Sequence, residues 1–383
     1  PYDNRHAAKK HTRGCRQMTN WSNSDIQRMR RAIELASKGE GFVAPNPMVG
    51  CVIAAANGRI IGEGWHEQFG QSHAEVNAHR SIQDEDLHLL PDSSWYVTLE
   101  PCNHQGKTPA CSGLIESISP KRLVISASDT NPNVNGGGIE RLRKAGIEVE
   151  VGCLEKQVRW QNRRFFCNAD KQRSYVVLKW AQSSDGFMDP RSSNERTAGS
   201  GGRAITGLEA TPITHKWRAQ EMGIAVGVGT AVIDEPELTV RFGHGKSPRA
   251  IIIDPQERLP KSHPLLERKG LDQTLHVCRG IGKEPKHKRF WNPEDGLLSL
   301  MQKLWKQDGI SSVLVEGGAN TLQHFLSESM WDEVKVWTAS HDLNGGLKAP
   351  SWPKEAAQPP YESGSGFAGE DRWEMGIRPQ DPK

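Results

Sequence analysis

Four residues in the first third of the chain constrain its fold more than any other feature: His73, Glu75, Cys102 and Cys111. Zinc in proteins takes nitrogen and sulfur ligands in tetrahedral geometry, and a catalytic zinc keeps one of its four positions for water. His73, Cys102 and Cys111 supply three such ligands. A His-x-Glu followed by Pro-Cys and a second cysteine is typical of zinc sites that deaminate a nucleobase-like ring. Glu75, two residues from a ligand, is placed to transfer protons rather than to bind the metal.

The surrounding sequence predicts two helix starts at this site. Residues 95–99 are rich in β-branched and aromatic side chains, which is typical of a buried strand, and Pro101 ends the run. Cys102 is therefore expected at a strand-to-helix turn. Ser72 has the character of an N-cap, which predicts that a second helix begins with His73. A helix N-terminus lowers the pKa of a nearby thiol and so favours the thiolate that binds zinc.

The spacing of the two cysteines departs from the usual Cys-x-x-Cys pair. Eight residues separate Cys102 from Cys111, and they include His104 and Lys107. Each motif residue alone has a simpler explanation, as a buried thiol or a surface histidine, but all four in this order favour a metal site. An alternative stays open. If His104 were a fourth protein ligand, the zinc would be structural and the protein a non-catalytic nucleotide-binding one.

Length, charge and cysteine content set broad limits on the chain. Its 383 residues are enough for two domains of ordinary size. A net charge of +3 at pH 7 is close to balance, so it does not indicate nucleic acid or a membrane surface as a partner. No apolar run is long enough to span a bilayer. Seven cysteines at irregular spacing indicate a reducing compartment, and we expect a cytoplasmic protein.

The first domain is predicted over residues 21–169. Residues 1–20 are polar without periodicity, and we treat them as a disordered or extraneous N-terminal segment. A helix with a capping box at Ser24 should open the domain, followed by a hairpin that turns at Asn57-Gly58. Helices and strands then alternate. This order is typical of an α/β sandwich.

The second domain is predicted over residues 174–383, after a short polar stretch. Apolar runs predict strands at residues 175–181, 224–229, 250–254, 274–278, 313–316 and 334–338. Helical patterns separate most of these runs, which predicts a mostly parallel, doubly wound sheet. The run at 313–316 leads into Gly317-Gly318 and a helix. Backbone amides at such a turn can hold a phosphate, although two glycines at a strand end are more often only a turn.

The segments around these motifs closely resemble one family, the bifunctional deaminase/reductase of riboflavin biosynthesis. In the first half, the resemblance lies in His-Ala-Glu-Val from His73, in Asn-Pro-Met-Val-Gly from Asn46 and in residues 98–111. In the second half it continues through residues 178–186, 226–230 and 234–241. It covers roughly residues 20–350. The resemblance implies an N-terminal cytidine-deaminase-like α/β/α sandwich and a C-terminal dihydrofolate-reductase-like α/β domain.

By this resemblance the chain would be a zinc-dependent hydrolase and an NADPH-dependent oxidoreductase. The first domain would deaminate a small-molecule diaminopyrimidinone that carries ribose 5-phosphate, and the second would reduce the ribose to a ribityl chain. The resemblance assigns this substrate in the deaminase to Asn46, His66, His104 and Lys107. It assigns NADPH to Ala181, Ala204, Thr230, Asp234 and Gly318. It assigns the substrate of the reductase to Lys179, Gly202, Arg218, Leu238, Arg241 and Glu316. A homo-oligomer is also expected.

Arginine is a suitable phosphate ligand because its guanidinium binds phosphate in a forked geometry, although Arg218 and Arg241 alone could equally be solvated surface residues. One departure lies nearby. The family has Trp-Ile-Thr or Trp-Ile-Ser where this chain has Ala204-Ile-Thr, so an aromatic wall against the cofactor is missing. A chain with only the deaminase active therefore stays open. A nucleoside or tRNA adenosine deaminase with an unrelated second domain is a further alternative, and the near-neutral charge counts against an RNA substrate.

Overall fold

The structure is a computed structural model that describes residues 21–103, 110–130, 137–268 and 273–379. The predicted N-terminal segment, 1–20, lies outside the described residues. Within them, the strands form a five-stranded sheet in the first half, a nine-stranded sheet in the second half and a separate two-stranded pair. None of the described helices is long and apolar enough to cross a membrane.

The first domain alternates helices with strands around the five-stranded sheet. In chain order its elements are α1 (Asn23–Ser37), β1 (Gly50–Ala54), β2 (Ile60–Trp65), α2 (Ala74–Arg80), β3 (Ser94–Leu99), α3 (Cys111–Ile118), β4 (Arg122–Ala127), α4 (Gly137–Lys144), β5 (Glu148–Val151), α5 (Glu155–Gln161) and α6 (Arg163–Lys171). The strand order is β2-β1-β3-β4-β5, with β1 antiparallel to both its neighbours and β3, β4 and β5 parallel.

The two faces of this sheet are buried under different helices. Val52 and Tyr96 belong to the apolar cluster that includes α1, whereas Ile53 and Val97 belong to the cluster that includes α2, α3 and α4. Successive strand residues point to opposite faces, so this alternation gives a helical layer on each side. Gly50 allows α1 to approach closely, because a Cβ there would lie 2.0 Å from the Ala32 carbonyl oxygen. The predicted α/β/α sandwich is confirmed.

Two helix caps differ from the prediction. The capping box of α1 begins at Ser22 and not at Ser24: the Ser22 hydroxyl accepts from the Asp25 N–H, and the Asp25 carboxylate accepts from the Ser22 N–H. Asp25, three residues after this cap, closes the box. Helix α2 has His73 as its N-cap and not Ser72, and the His73 side chain makes no capping hydrogen bond. Its ring turns instead toward two cysteines.

The second domain is built on the nine-stranded sheet. In chain order its elements are β6 (Tyr175–Gln182), β7 (Phe187–Asp189), α7 (Ala210–Ala219), β8 (Gly223–Gly227), α8 (Val228–Asp234), β9 (Arg249–Ile253), β10 (Leu275–Cys278), β11 (Lys288–Phe290), α9 (Gly296–Asp308), β12 (Ser312–Glu316), α10 (Ala319–Ser327), β13 (Glu333–Thr338), β14 (Leu347–Lys348), β15 (Ser365–Ala368) and β16 (Asp371–Ile377). All six predicted strands are present. The sheet order is β11-β10-β9-β8-β12-β6-β13-β16-β15, parallel from β11 to β13 and antiparallel beyond, as a mostly parallel sheet predicts.

The junction between the two halves is helical and buried. Helix α6 runs into the polar stretch where the boundary is predicted, and Asn168 and Arg173 within that stretch are buried. The Asn168 amide donates to the Ser311 carbonyl at 2.8 Å, and Arg173 makes a forked pair with Asp332 at 2.6 and 2.7 Å. The boundaries at residues 169 and 174 stay a prediction.

Four consecutive residues at the bend between α5 and α6 contact four separate parts of the chain. Gln161 donates to the Ile33 carbonyl in α1, and Asn162 bonds to the backbone of the loop before β1. Arg163 pairs with Glu333 in β13 at 3.1 Å. Arg164 pairs with Glu221, which follows α7. This bend therefore connects the first domain, with its five-stranded sheet, to the second domain.

Two candidate active sites

His73, Cys102 and Cys111 converge in the first domain. Their ligand atoms all lie within 4.8 Å of one another, with His73 Nδ1 at 3.5 Å from Cys102 Sγ and 3.3 Å from Cys111 Sγ. His73 stands at the start of α2 and Cys111 is the first residue of α3, so two helix starts meet here. The second of them carries Cys111 and not Cys102, which was the cysteine expected there. Tetrahedral zinc with its usual bond lengths has ligand atoms about 3.5–3.8 Å apart. The three side chains therefore fit zinc.

The protonation of the two thiols also suits a cation. A hydrogen bond from Cys111 lowers the pKa of Cys102 to about 4, with a further contribution from His73. The same hydrogen bond, together with burial, raises the pKa of Cys111. Because the thiolate is the form that binds metal, a cation at this point would displace the thiol protons.

Glu75 lies beside this cluster and is only 3 % exposed. Burial raises the pKa of its carboxyl above the ordinary value for glutamate. A carboxyl with a raised pKa is suited to both accepting and donating a proton during a reaction. Glu75 thus stands next to the ligands, in the first turn of α2, and its role in proton transfer stays a prediction.

His66 lies beside His73 and contacts Asn46. The Asn46 amide contacts His66 Nε2 at 3.3 Å, and His66 Nδ1 donates to the Ser72 carbonyl at 3.1 Å. Burial lowers the pKa of His66, which keeps the ring neutral. Its ring meets the His73 ring edge-on, with centroids 5.4 Å apart. The other two predicted substrate residues, His104 and Lys107, lie outside the described residues.

A cavity of about 450 Å³ opens in the second domain at the carboxyl ends of β8, β9 and β12. Its lining includes Gly227, Gly229, Thr230, Gly318, Ala319 and Thr321. The two glycine turns leave little room: a Cβ at Gly318 would lie 2.8 Å from Thr230 Oγ1, and one at Gly227 would lie 2.2 Å from Thr321 Oγ1. Ligands of open α/β sheets bind at the carboxyl ends of strands, and the N-terminus of α10 suits a phosphate. The cavity therefore fits a dinucleotide.

A buried charged cluster adjoins the glycine turn at Gly317-Gly318. Glu316 accepts from Arg218 Nε at 3.1 Å, and Lys179 Nζ lies 3.6 Å from Glu316. Burial lowers the pKa of Lys179. Burial alone would raise the pKa of Glu316, but the charges of Lys179 and Arg218 outweigh it and lower that pKa to about 2. Lys179, Arg218 and Glu316, which were all predicted to bind the substrate of the reductase, are thus brought together.

The remaining predicted residues of the second domain are spread around the cavity. Thr230 and Gly318 line it, whereas Ala181, Ala204 and Asp234 lie outside its described lining. Asp234 is bound by Arg196 at 3.0 Å.

Gly202 lies against Asp234, where a Cβ would be 3.4 Å from the Asp234 side chain. Leu238 is buried in the core, so its side chain is not available to a ligand. Arg241 is exposed and pairs with Glu237. The roles of these three positions in binding the substrate stay predictions.

The sequence prediction missed His215. The ring is buried, and its Nδ1 accepts the backbone N–H of Arg241 at 2.8 Å. Burial, with the positive charges of Arg218 and Arg241, lowers the pKa of His215 to about 4. A signal was available, because His215 precedes Arg218 by three residues and therefore lies on the same face of α7.

Comparison with known proteins matches both halves of the chain. Residues 22–127 match the cytidine and deoxycytidylate deaminase zinc-binding region, and residues 174–355 match the RibD C-terminal domain. The riboflavin biosynthesis protein RibD of Aquifex aeolicus is 36 % identical over 334 residues, which is 84 % of this chain and 89 % of that protein. The RibD protein of Escherichia coli is 32 % identical, over 87 % of this chain and 94 % of its own length. The chain belongs to the RibD family.

Solved structures of the family agree with this conclusion. Acinetobacter baumannii RibD superposes with a TM-score of 0.80 at 31 % identity, covering 93 % of this chain and 99 % of that one. A Thermotoga maritima diaminohydroxyphosphoribosylaminopyrimidine deaminase/5-amino-6-(5-phosphoribosylamino)uracil reductase gives a TM-score of 0.77 at 32 % identity, over the same shares.

Family membership confirms several predictions at once. The fold is a cytidine-deaminase-like domain followed by a RibD reductase domain. The chain is a bifunctional deaminase and reductase of riboflavin biosynthesis, a hydrolase and an oxidoreductase that use zinc and NADPH. An adenosine deaminase with an unrelated second domain is excluded by the match of residues 174–355. The deaminase-only and non-catalytic alternatives gain no support.

Proposed function

We propose that the first site deaminates 2,5-diamino-6-(5-phosphoribosylamino)pyrimidin-4-one and that the second site reduces the ribose of the product to a ribityl chain. The observation that carries the proposal is the convergence of His73, Cys102 and Cys111 beside the buried carboxyl of Glu75. The reaction named for the Thermotoga maritima relative supports the choice of substrate.

In the deaminase site, zinc held by the three ligands supplies the Lewis acidity that makes water a nucleophile near neutral pH. Glu75 accepts the proton of the attacking water and then donates it to the departing ammonia. Asn46 and the neutral ring of His66 orient the pyrimidine beside His73. Roles for His104 and Lys107 in holding the substrate stay predictions from the family resemblance.

In the reductase site, NADPH would supply a hydride to C1′ of the ring-opened ribose. The C1′=N imine would take up this hydride together with a proton and become the amine that carries the ribityl chain. Thr230 and Gly318 would hold the dinucleotide, with Ala181, Ala204 and Asp234 farther along it. Lys179 and Glu316 face the sugar from neighbouring strands and orient its hydroxyls. The phosphate of the substrate would need a cationic side chain to bind it at the entrance of the reductase site.

Arg241 is the better placed arginine for that phosphate. Its pair with Glu237 is exposed, and exposed pairs are worth about 0–1 kcal/mol, so a phosphate can displace the carboxylate. Arg218 is held by Glu316 inside the site and would contact the sugar end of the substrate. Gly202 and Leu238 contribute backbone to the same site.

We also propose that the protein forms a homo-oligomer, which analytical ultracentrifugation of the purified protein would test. We propose further that it acts in the cytoplasm. The six cysteines within the described residues are all free thiols, which suits a reducing compartment.

The test is an assay of both steps on one preparation. The purified zinc-loaded protein is incubated with the phosphoribosyl diaminopyrimidinone, and ammonia release and NADPH oxidation are followed separately. Glu75→Gln should abolish ammonia release with zinc content unchanged, whereas Lys179→Met should abolish NADPH oxidation and leave ammonia release intact. Ammonia release without NADPH oxidation in the unmodified protein would support the deaminase-only alternative. Turnover retained by Glu75→Gln would refute the role of this carboxyl.

A further inference from the structure

Two arginines belong to the described lining of the dinucleotide cavity, and they differ in their partners. Arg196 lies between Asp189 at 3.2 Å and Asp234 at 3.0 Å, so its charge is neutralised inside the protein. The Arg258 side chain is exposed, and its guanidinium makes no ion pair or hydrogen bond with any residue that the structure describes. Arg258 is therefore an uncompensated cation at the cavity.

Neighbouring carboxylates do not offset this charge, because each is already paired. Glu257, the preceding residue, binds Lys288 at 2.8 Å. Glu294, across the outer edge of the cavity, binds Arg279 at 3.1 Å. Arg258 also lines a neighbouring cleft, together with Gln256 and Arg279. Neither Glu257 nor Glu294 therefore neutralises the charge of Arg258 at this end of the cavity.

The backbone that carries Arg258 is held rigidly although its side chain is exposed. Asp254 is fully buried and accepts the backbone N–H of Arg258 at 3.0 Å and that of Leu259 at 2.9 Å. The Asp254 carboxylate also pairs with His276 Nε2 at 3.0 Å. A buried carboxylate thus fixes the turn after β9, and a fixed turn lowers the ordering cost of binding a ligand.

The order of strands places Arg258 at one end of the bound cofactor. The cluster of Lys179, Arg218 and Glu316 lies at β6 and β12, and the nicotinamide must meet the sugar there. Strands β8 and then β9 follow β12 in the sheet. The rest of the dinucleotide must therefore extend across the ends of β8 and β9, and the turn bearing Arg258 comes directly after β9.

We propose that Arg258 binds the 2′-phosphate on the adenosine ribose of NADPH and so makes the enzyme prefer NADPH over NADH. A guanidinium binds phosphate in a forked geometry through charge-assisted hydrogen bonds. NADH carries only a hydroxyl at this position and cannot use the charge. The inference rests on the proposed reductase function and names the residue that determines its cofactor specificity.

The test measures direct binding of both dinucleotides to the intact zinc-loaded protein, by calorimetry or by fluorescence of the reduced nicotinamide. Arg258→Ala should raise the Kd for NADPH by about 10- to 100-fold and change the Kd for NADH by less than about twofold. Arg258→Lys, which keeps the charge but not the fork, should give an intermediate Kd for NADPH. Lys261→Ala is the control, because it removes one exposed positive charge close by and outside the cavity.

Fragments separate this inference from the function on which it rests. Adenosine 2′,5′-bisphosphate should bind the unmodified protein more tightly than 5′-AMP, and Arg258→Ala should remove that difference. If Arg258→Ala weakens NADPH and NADH equally, or neither, the assignment is overturned while the reductase function stands. A protein that binds neither dinucleotide contradicts the reductase function, and the inference fails with it.

Discussion

The side-chain amide of Asn162 satisfies both backbone polar groups of Met48, which lies 114 positions earlier in the chain. Its Oδ1 accepts the Met48 N–H at 2.8 Å, and its Nδ2 donates to the Met48 carbonyl at 3.0 Å. Met48 is two residues from Asn46, the proposed substrate residue that contacts His66. One buried amide at the α5–α6 bend therefore fixes a wall of the deaminase site.

Asn162→Ala should damage the deaminase through this loop. With both backbone groups of Met48 left unsatisfied, the loop would shift, and a shift of about 1 Å can reduce kcat/KM by up to about 100-fold. We expect the KM for the pyrimidine to rise more than kcat falls, with zinc content unchanged. Gln161→Ala is the matched control, because that neighbouring amide bonds to Ile33 in α1 and not to the loop. Equal changes in KM for both variants would contradict the positioning role.

Arg164→Met should destabilise the contact between the two domains. Glu221 has no exposed side-chain surface, and Arg164 Nε donates to it at 2.9 Å. A buried carboxylate that loses its partner costs about 3–5 kcal/mol, whereas replacing both partners by apolar side chains is often close to neutral. The Arg164→Met/Glu221→Met double variant should therefore be more stable than Arg164→Met. Thermal unfolding midpoints of the three proteins decide this, and a double variant less stable than the single one would count against it.

Zinc removal should lower the stability of the first domain selectively. A ligand that binds only the folded state at 1,000 times its Kd stabilises that state by about 4 kcal/mol. Dialysis against a chelator should therefore lower the first thermal transition in calorimetry, and added zinc should restore it. Cys111→Ser removes one of the three ligands and should make the transition insensitive to both treatments. A chelator response that persists in this variant would place the metal elsewhere.

Stability should fall on acidification in a range set by His215. Its pKa in the folded protein is about 4, below the ordinary value of 6.5, so between these values the unfolded chain binds a proton that the folded one does not. The free energy of unfolding therefore decreases as the pH falls from about 6.5 to 4. In His215→Asn the amide oxygen can still accept the Arg241 N–H but does not titrate. Urea unfolding from pH 7 to 5 should show a flatter pH dependence for this variant.

Local patterns explain why the metal site could be predicted from the sequence. Two helix starts and a strand end are short-range features, and they bring His73, Cys102 and Cys111 together once the sheet forms. The six main strands of the second domain were likewise evident as apolar runs. The edge strand β15 and its neighbour β16 were not evident, because glycine and exposed polar residues interrupt their pattern.

Contacts between residues distant in sequence could not be predicted. Asn162 and Met48 come into contact only in the folded protein, and no sequence pattern relates two residues that are 114 positions apart. The roles of His215 and Arg258 depend on which neighbouring charges are already paired, which requires the folded structure. The family resemblance also assigned Asp234 to the cofactor. It could not show that the Asp234 carboxylate already forms an ion pair with Arg196.

The position of β6 bears on how the chain folds as it is synthesised. The strands of the first sheet are consecutive in sequence, so this sheet is complete once Glu148–Val151 has emerged, and the three metal ligands precede that point in the chain. Strand β6 emerges next, but its two sheet neighbours are Ser312–Glu316 and Glu333–Thr338. Throughout the intervening translation an apolar strand lacks its partners, so nascent or prematurely terminated chains should depend on chaperones far more than the finished enzyme does.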